Sequence, residues 1–241
     1  MATLSLEIRL YFDWKEPLTP KIALEDLHKI TQQINTLFVD HHKTWYLPGN
    51  TRQEALLHIA FDTQGATEKA IKEFEKDYTE KDPMVIKGIW DGEDDEHSCS
   101  IYYQNYRRDQ LGQTEITLNI SIGEKEFQLS RLIEFIKYLI SSRNLPYILV
   151  EANGYSLYGK QVFPDRLSVG WMLYLPTKID SALLTMAEEI IFVSDKNDEK
   201  GSLIITTKDI FDIGNQEHIN KANDIEICLR DLQLLPLMSE I

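Results

Sequence analysis

Residues Thr3 to Phe12 alternate, with Leu4, Leu6, Ile8 and Leu10 on one face, and shortly afterwards the period of the pattern changes from two to that of a helix. A period of two is what a half-buried strand needs, because successive side chains leave a strand on opposite faces. Thr19 and Pro20 mark the change. A threonine oxygen can accept from a backbone N–H of the first helical turn, and proline at the first helical position gives up a donor that has no partner there anyway. Leu24, Leu27, Ile30, Ile34, Leu37 and Phe38 then recur at helical spacing, ending near Asp40-His41-His42. An amphipathic helix laid on one face of a sheet is the unit of a layered α+β protein.

The remaining chain extends that reading. Thr51 and Glu54 form a capping-box pattern for a short helix, although Leu56 to Phe61 reads equally as an extended run. Ala66, Ala70, Ile71, Phe74 and Tyr78 predict a further helix that Asp82-Pro83 stops before a strand from Met84 to Trp90. Ser98 to Tyr106 and Glu115 to Ile122 read as antiparallel neighbours, followed by a helix carrying Leu129, Leu132, Ile133, Ile136, Leu139 and Ile140. Tyr147 to Val150 and Arg166 to Leu175 are strand-like. Ile190 to Val193 and Leu203 to Thr206 suit a hairpin, and a last helix is expected over about Glu217 to Leu235. The expected class is α+β, mainly antiparallel sheet with packed amphipathic helices. Gly88-Ile89-Trp90 and Gly170-Trp171 occupy comparable places after a strand and helix, so one compact domain over 1–241 has an alternative in two similar, tightly docked halves, 1–124 and 125–241.

Composition sets limits on function. Hydrophobic residues make up 43% of 241 positions, enough for a real core, and 25 basic against 39 acidic residues leave a net charge of -14. Nucleic-acid affinity is chiefly cation-driven, so direct DNA or RNA binding is not expected, whereas a basic protein would be attracted. Cys99 and Cys228 are expected as reduced thiols. The N-terminus lacks the pattern of a secretion signal and no apolar run nears the roughly 20 residues of a membrane span, which favours a cytoplasmic location without membrane contact.

Catalytic and metal chemistry find no good candidate. Asp40-His41-His42 has ligand-type residues, but adjacent histidines at a helix end diverge, and His28, His58, His97 and His218 supply no spaced motif. Pro164-Asp165 with Asp198-Glu199-Lys200 imitates a magnesium nuclease pattern, yet the second part falls at a polar hairpin tip. No nucleophile elbow, phosphate loop or dinucleotide fingerprint is present, so neither an enzyme nor a cofactor is expected. Glu73, Glu75 and Asp77, like Glu188-Glu189, read as solvated faces.

The run from Gly88 to Glu96 is different. Trp90 is followed by Asp91, Gly92, Glu93, Asp94, Asp95 and Glu96, five acids in six positions beside an aromatic group and a glycine turn. The spacing is not that of a calcium loop. Aromatic groups anchor interfaces and acids steer and select partners, so Trp90, Asp91, Glu93, Asp94, Asp95 and Glu96, with Trp45 and Tyr46, are the expected partner-binding residues. Trp14 and Trp171 also sit beside loops or strand ends, where closing a core is the more ordinary role of a tryptophan.

Tyr11-Phe12-Asp13-Trp14, the loop Trp45-Tyr46-Leu47-Pro48-Gly49 followed by Thr51-Arg52-Gln53-Glu54-Ala55, and Gly88-Ile89-Trp90-Asp91-Gly92, in this order, resemble the bacterial immunity protein 52 family. The resemblance covers mainly residues 4 to 122. It implies a non-enzymatic antidote to a polymorphic or secretion-system toxin, commonly one with a restriction-endonuclease-like nuclease domain, bound in the cytoplasm so that DNA cleavage is blocked. It carries over no catalytic set. The other class compatible with the residues is a cytoplasmic adaptor that binds a protein or peptide, for example by strand addition to a sheet edge.

Overall fold

In a computed structural model of the chain, which describes residues 2–13, 19–38, 43–81, 83–93, 97–105, 114–143, 145–195 and 198–241, ten strands and five α-helices are defined among the described residues. They make an α+β protein whose sheet pairings are antiparallel. The chain gathers into two units, residues 1–4 with 14–135, and residues 5–13 with 136–241.

In the first unit, β4 (Val85–Trp90) pairs with β5 (Cys99–Asn105), and β5 with β6 (Thr114–Gly123). Alternation decides which face is inside: Ile101, Tyr103, Ile116 and Leu118 are fully buried, while Tyr102 between them is 48% exposed. Helix α1 (Pro20–Ile34) starts as its sequence predicts, with Thr19 Oγ1 accepting from the Ile22 N–H at 3.3 Å and Pro20 at the first turn. Its buried stripe of Ala23, Leu24, Leu27, Ile30 and Ile34 packs partly on α3 (Glu68–Glu75), whose Ala70 and Phe74 face inward. Between them, α2 (Arg52–Ala55) is a single turn, and a two-residue hairpin, β2 (Phe61–Asp62) with β3 (Gly65–Ala66), follows, so both readings of this stretch hold in part. The capping box is displaced by one residue. Thr51 Oγ1 accepts from Glu54 N–H at 3.2 Å, but the Glu54 carboxylate receives the N–H of Asn50 rather than that of Thr51.

In the second unit the strand order is β1 (Thr3–Phe12, from Ser5 on), β7 (Tyr147–Ala152), β8 (Met172–Leu175), β10 (Asp198–Ile205) and β9 (Glu189–Asp195). Leu149, Leu173 and Ile204 meet Ile225 and Leu229 of α5 (Gln216–Asp231) in one apolar cluster. Helix α4 (Leu129–Ser142) spans the division between the units.

Two expected elements are shorter than their patterns. Only Met172–Leu175 of the stretch from Arg166 is strand: Gly170 adopts φ +56°, and the N–H of Val169 is given to a carboxylate on α5 instead of a ladder. Helix α5 ends at Asp231, and Gln233 with φ +60° turns the chain before Leu235. The hairpin strands, by contrast, run closer together than the apolar residues indicate, reaching Asp195 and restarting at Asp198. Among the described residues, no helix is long and apolar enough to cross a membrane.

Candidate functional site

The acidic run begins where β4 ends, and its stem is closed by a residue that the sequence does not single out. The Lys43 side chain is almost fully buried, and its ammonium lies 2.5 Å from Asp91 Oδ2, whose side chain is fully buried. The same ammonium donates to the carbonyl of His97, and it sits 4.4 Å from the centre of the Phe38 ring. One cation thus ties both ends of the segment from Asp91 to His97. Asp91 is saturated in return: Oδ2 also accepts from Cys99 N–H at 2.8 Å and Oδ1 from Glu93 N–H at 3.2 Å. A buried ion pair repays its desolvation only when the remaining donors and acceptors are filled in this way. Burial pushes the neighbouring Cys99 thiol up to about 12, which keeps it protonated and inert. Both cysteines are free.

Gly92 makes the turn. It has φ +77°, and a Cβ there would come within 2.9 Å of both Leu56 and Tyr46. Its carbonyl accepts from Arg52 Nη2 at 2.8 Å. Tyr46 and Trp90 exchange backbone hydrogen bonds, at 2.7 Å and 3.1 Å, so the loop that carries Tyr46 is laced to the end of β4. Their rings lie 6.3 Å apart at a tilt.

The expected contact residues therefore divide. Tyr46 and Trp90 are half-buried and Glu93 is exposed, so these three have accessible surface. Asp91 and Trp45 are inside, the first held by Lys43 and the second 3% exposed, so their part in any contact is to position what surrounds them. Asp94, Asp95 and Glu96 lie outside the described residues, as do Trp14 and the Asp40-His41-His42 motif. Trp171 closes the core of the second unit, its indole N–H bonded to Thr207 O at 3.0 Å.

Sequence reasoning missed Lys43, Arg52, Leu56 and Tyr102. A groove of about 360 Å³ lies between the loop around Pro48, with α2, and the face of β4 and β5; Arg52, Ala55, Trp90 and Tyr102 line it. Its lining is largely apolar with one guanidinium, a surface suited to holding a side chain of a partner. Leu57, 78% exposed, and Ile59, 43% exposed, continue from Leu56, so apolar groups adjoin the acidic turn. The apolar spacing of Leu56, Leu57 and Ile59, which fits neither a buried helix nor a buried strand, was the available signal.

No family model and no curated protein matches the sequence. Among solved structures, a Pseudomonas aeruginosa T6SS protein is similar with a TM-score of 0.43 and 12% identity, over 84% of this chain and 68% of that one. The likeness to the immunity protein 52 family rests on the residues quoted above.

The second unit holds a different polar centre. Glu226 of α5, 1% exposed, accepts from Val162 N–H at 2.7 Å, Val169 N–H at 3.1 Å and the Tyr155 hydroxyl at 3.1 Å. Glu151 of β7, 2% exposed, accepts from the hydroxyls of Ser168 at 2.8 Å and Ser156 at 2.6 Å. Burial raises the Glu226 carboxyl above its ordinary value, with Glu151 adding to the rise against the opposing hydrogen bonds, and burial beside Glu226 raises the Tyr155 phenol. The hydrogen-bond donors to both carboxylates are neutral groups of the segment between β7 and β8, with the Arg9 guanidinium close enough to Glu151 to interact with it, so the two carboxylates fix the course of that connection. Of the nuclease-like pattern, Lys200 uses its carbonyl to accept from Tyr174 at 2.8 Å, and Asp198 opens β10. Among the described residues, no group of three or more His, Cys, Asp or Glu could hold a metal ion.

Proposed function

We propose that this chain is a non-enzymatic immunity protein that binds a cognate toxin and neutralises it, the toxin being a restriction-endonuclease-like DNase whose basic active-site surface meets the acidic turn after β4. The observation that carries this reading is the Lys43 clamp. A solvated acidic loop needs no buried cation at its stem, whereas a loop that must present carboxylates in one place gains from having both ends fixed before a partner arrives. Glu93 supplies exposed charge directly beside Gly92, and Leu56, Tyr46 and Trp90 supply the apolar groups that fill a partner's pockets. The net charge of -14 speeds encounter with a cationic cleft and opposes binding to its nucleic-acid substrate. The quoted immunity-type residues agree with this assignment, and a cytoplasmic meeting place follows from it.

The test is survival of cells expressing the C-terminal domain of the toxin encoded next to this chain, with and without it. Rescue with co-elution of the two proteins is expected. Charge reversal at Glu93, Asp94 and Asp95 together should abolish rescue, with affinity falling at least about a hundredfold, or roughly 2.7 kcal/mol. Full rescue by that variant would refute the acidic turn as the contact, and lack of rescue by the folded natural chain would reject the pairing.

A further inference from the structure

The space around position 92 demands glycine, and glycine brings a freedom that the turn after β4 must lose if it is to hold one shape. A Cβ there would meet Leu56 and Tyr46 at 2.9 Å, and φ is +77°. With no Cβ at Gly92, the peptide that joins it to Glu93 can rotate about its own long axis, turning its C=O and N–H to opposite sides while the flanking Cα atoms scarcely move. Such a rotation changes the backbone angle at Glu93 and so the direction in which that side chain leaves. Both poles of this peptide are held. The carbonyl of Gly92 accepts from Arg52 Nη2 at 2.8 Å, and the N–H of Glu93 donates to Asp91 Oδ1 at 3.2 Å.

The two restraints differ in kind. Asp91 belongs to the buried pair with Lys43, so its place serves the stem as a whole. Arg52 is exposed and stands on the single turn α2, which is itself closely placed. Thr51 Oγ1 caps that turn by accepting from Glu54 N–H at 3.2 Å, the Glu54 carboxylate receives Asn50 N–H at 3.0 Å, and a Cβ on Gly49 would lie 2.7 Å from Ala55 N. The guanidinium therefore reaches the peptide from a fixed base outside the core.

We infer that Arg52 is a positioning residue for partner binding: by holding the Gly92 carbonyl it fixes the peptide ahead of Glu93, and so aims the Glu93 side chain at a cationic group of the partner before the two meet. This rests on the function proposed above and names the residue that orients its exposed acid. Association then loses less conformational freedom at that peptide. Charge alone predicts the reverse effect. A cation beside the acidic turn repels a basic partner, so removing one that contributed only charge would tighten the complex. The sign of the change separates the two roles.

The experiment uses the whole chain labelled with nitrogen-15, as the natural protein and as Arg52→Gln, with the purified C-terminal domain of the toxin encoded next to this chain as the probe. In the free protein the order parameter of the Glu93 amide should fall from about 0.85 to below about 0.6 on substitution, with the amides of β4 and β5 unchanged. The dissociation constant for the toxin domain should rise by about tenfold or more. In a Glu93→Gln background the same substitution should cost less than about twofold, because Arg52 acts through Glu93. An unchanged Glu93 amide, a tighter complex, or an equal loss with and without the Glu93 carboxylate overturns the inference. Failure of the natural chain to bind the domain refutes the proposed function and with it any part of Arg52 in that binding, while the Glu93 amide still decides whether Arg52 holds the peptide.

Discussion

Asp91 in the first unit and Glu226 in the second are both buried carboxylates, and their surroundings meet the cost of burial in different ways. Asp91 has a buried cation, and its remaining capacity is filled by two backbone donors. Among the described residues no cation pairs with Glu226; two backbone donors and a phenol serve it, with a second carboxylate close enough to raise its pKa further. A charge pair makes the presence of each partner conditional on the other, because either left alone is an uncompensated buried charge. Neutral donors spread the compensation over several weaker bonds, each of which can be lost without stranding a charge of opposite sign. The first arrangement suits a stem that must hold its shape, and the second suits a connection pinned at many points.

The strongest way to break this contrast is Lys43→Met. It leaves Asp91 buried without its cation and should cost about 3–5 kcal/mol in chemical denaturation. Pairing it with Asp91→Leu should recover part of that loss, since the stranded charge is gone, while the N–H groups of Cys99 and Glu93 lose their acceptor. A Lys43→Met cost below about 1 kcal/mol would mean that the backbone donors alone carry Asp91. In the second unit, Tyr155→Phe keeps the ring against Phe211, 5.5 Å away edge-on, and removes the hydroxyl that lies 2.7 Å from Asn223 Oδ1 and 3.1 Å from the buried Glu226 carboxylate, which share its one proton. It should cost about 1.5–3 kcal/mol by the same measurement. No loss would remove the phenol from the network.

The smallest effect is the most diagnostic of the missing cation. The folded-state pKa of Glu226 lies above its ordinary 4.5, so folding favours the protonated form. Its contribution to stability is fully present below 4.5 and is lost as pH rises through the raised value. The stability difference between the natural chain and Glu226→Gln should therefore shift in favour of the natural chain as pH falls from 7 towards about 4.5, groups common to both cancelling. A difference flat across that range would show that neutral donors hold this carboxyl as well as a cation would.

Much of the fold is legible in residue order because the signals are local. The alternation in β1, the Thr19-Pro20 start of α1, the stripe of α3 and the pairing of β5 with β6 are each written within a few residues of where they act. What fails is long-range. Lys43 lies 48 positions from Asp91, and nothing in its neighbourhood distinguishes it from a surface lysine. Asp91 stands among four other acids, so its sequence context reads as solvent when its side chain is fully buried. Val169 has the apolar neighbours of a strand residue, but the competitor for its N–H is Glu226, on a helix 57 positions away. Of the candidate site, the acidic turn and the aromatic pair were legible; the clamp, the groove wall of α2 and Tyr102 were not, because each depends on how separate segments meet.

The clamp on the stem has one further consequence. Lys43 closes the segment from Asp91 to His97 through a carboxylate at one end and a main-chain carbonyl at the other, and Glu93 joins that closure through its backbone N–H. Inheritance of the stem and inheritance of the charges displayed beyond it are therefore separable. Under the proposed function, substitutions at the acids of the turn can accumulate in a lineage and change which opponent is recognised, while the scaffold beneath them descends unaltered.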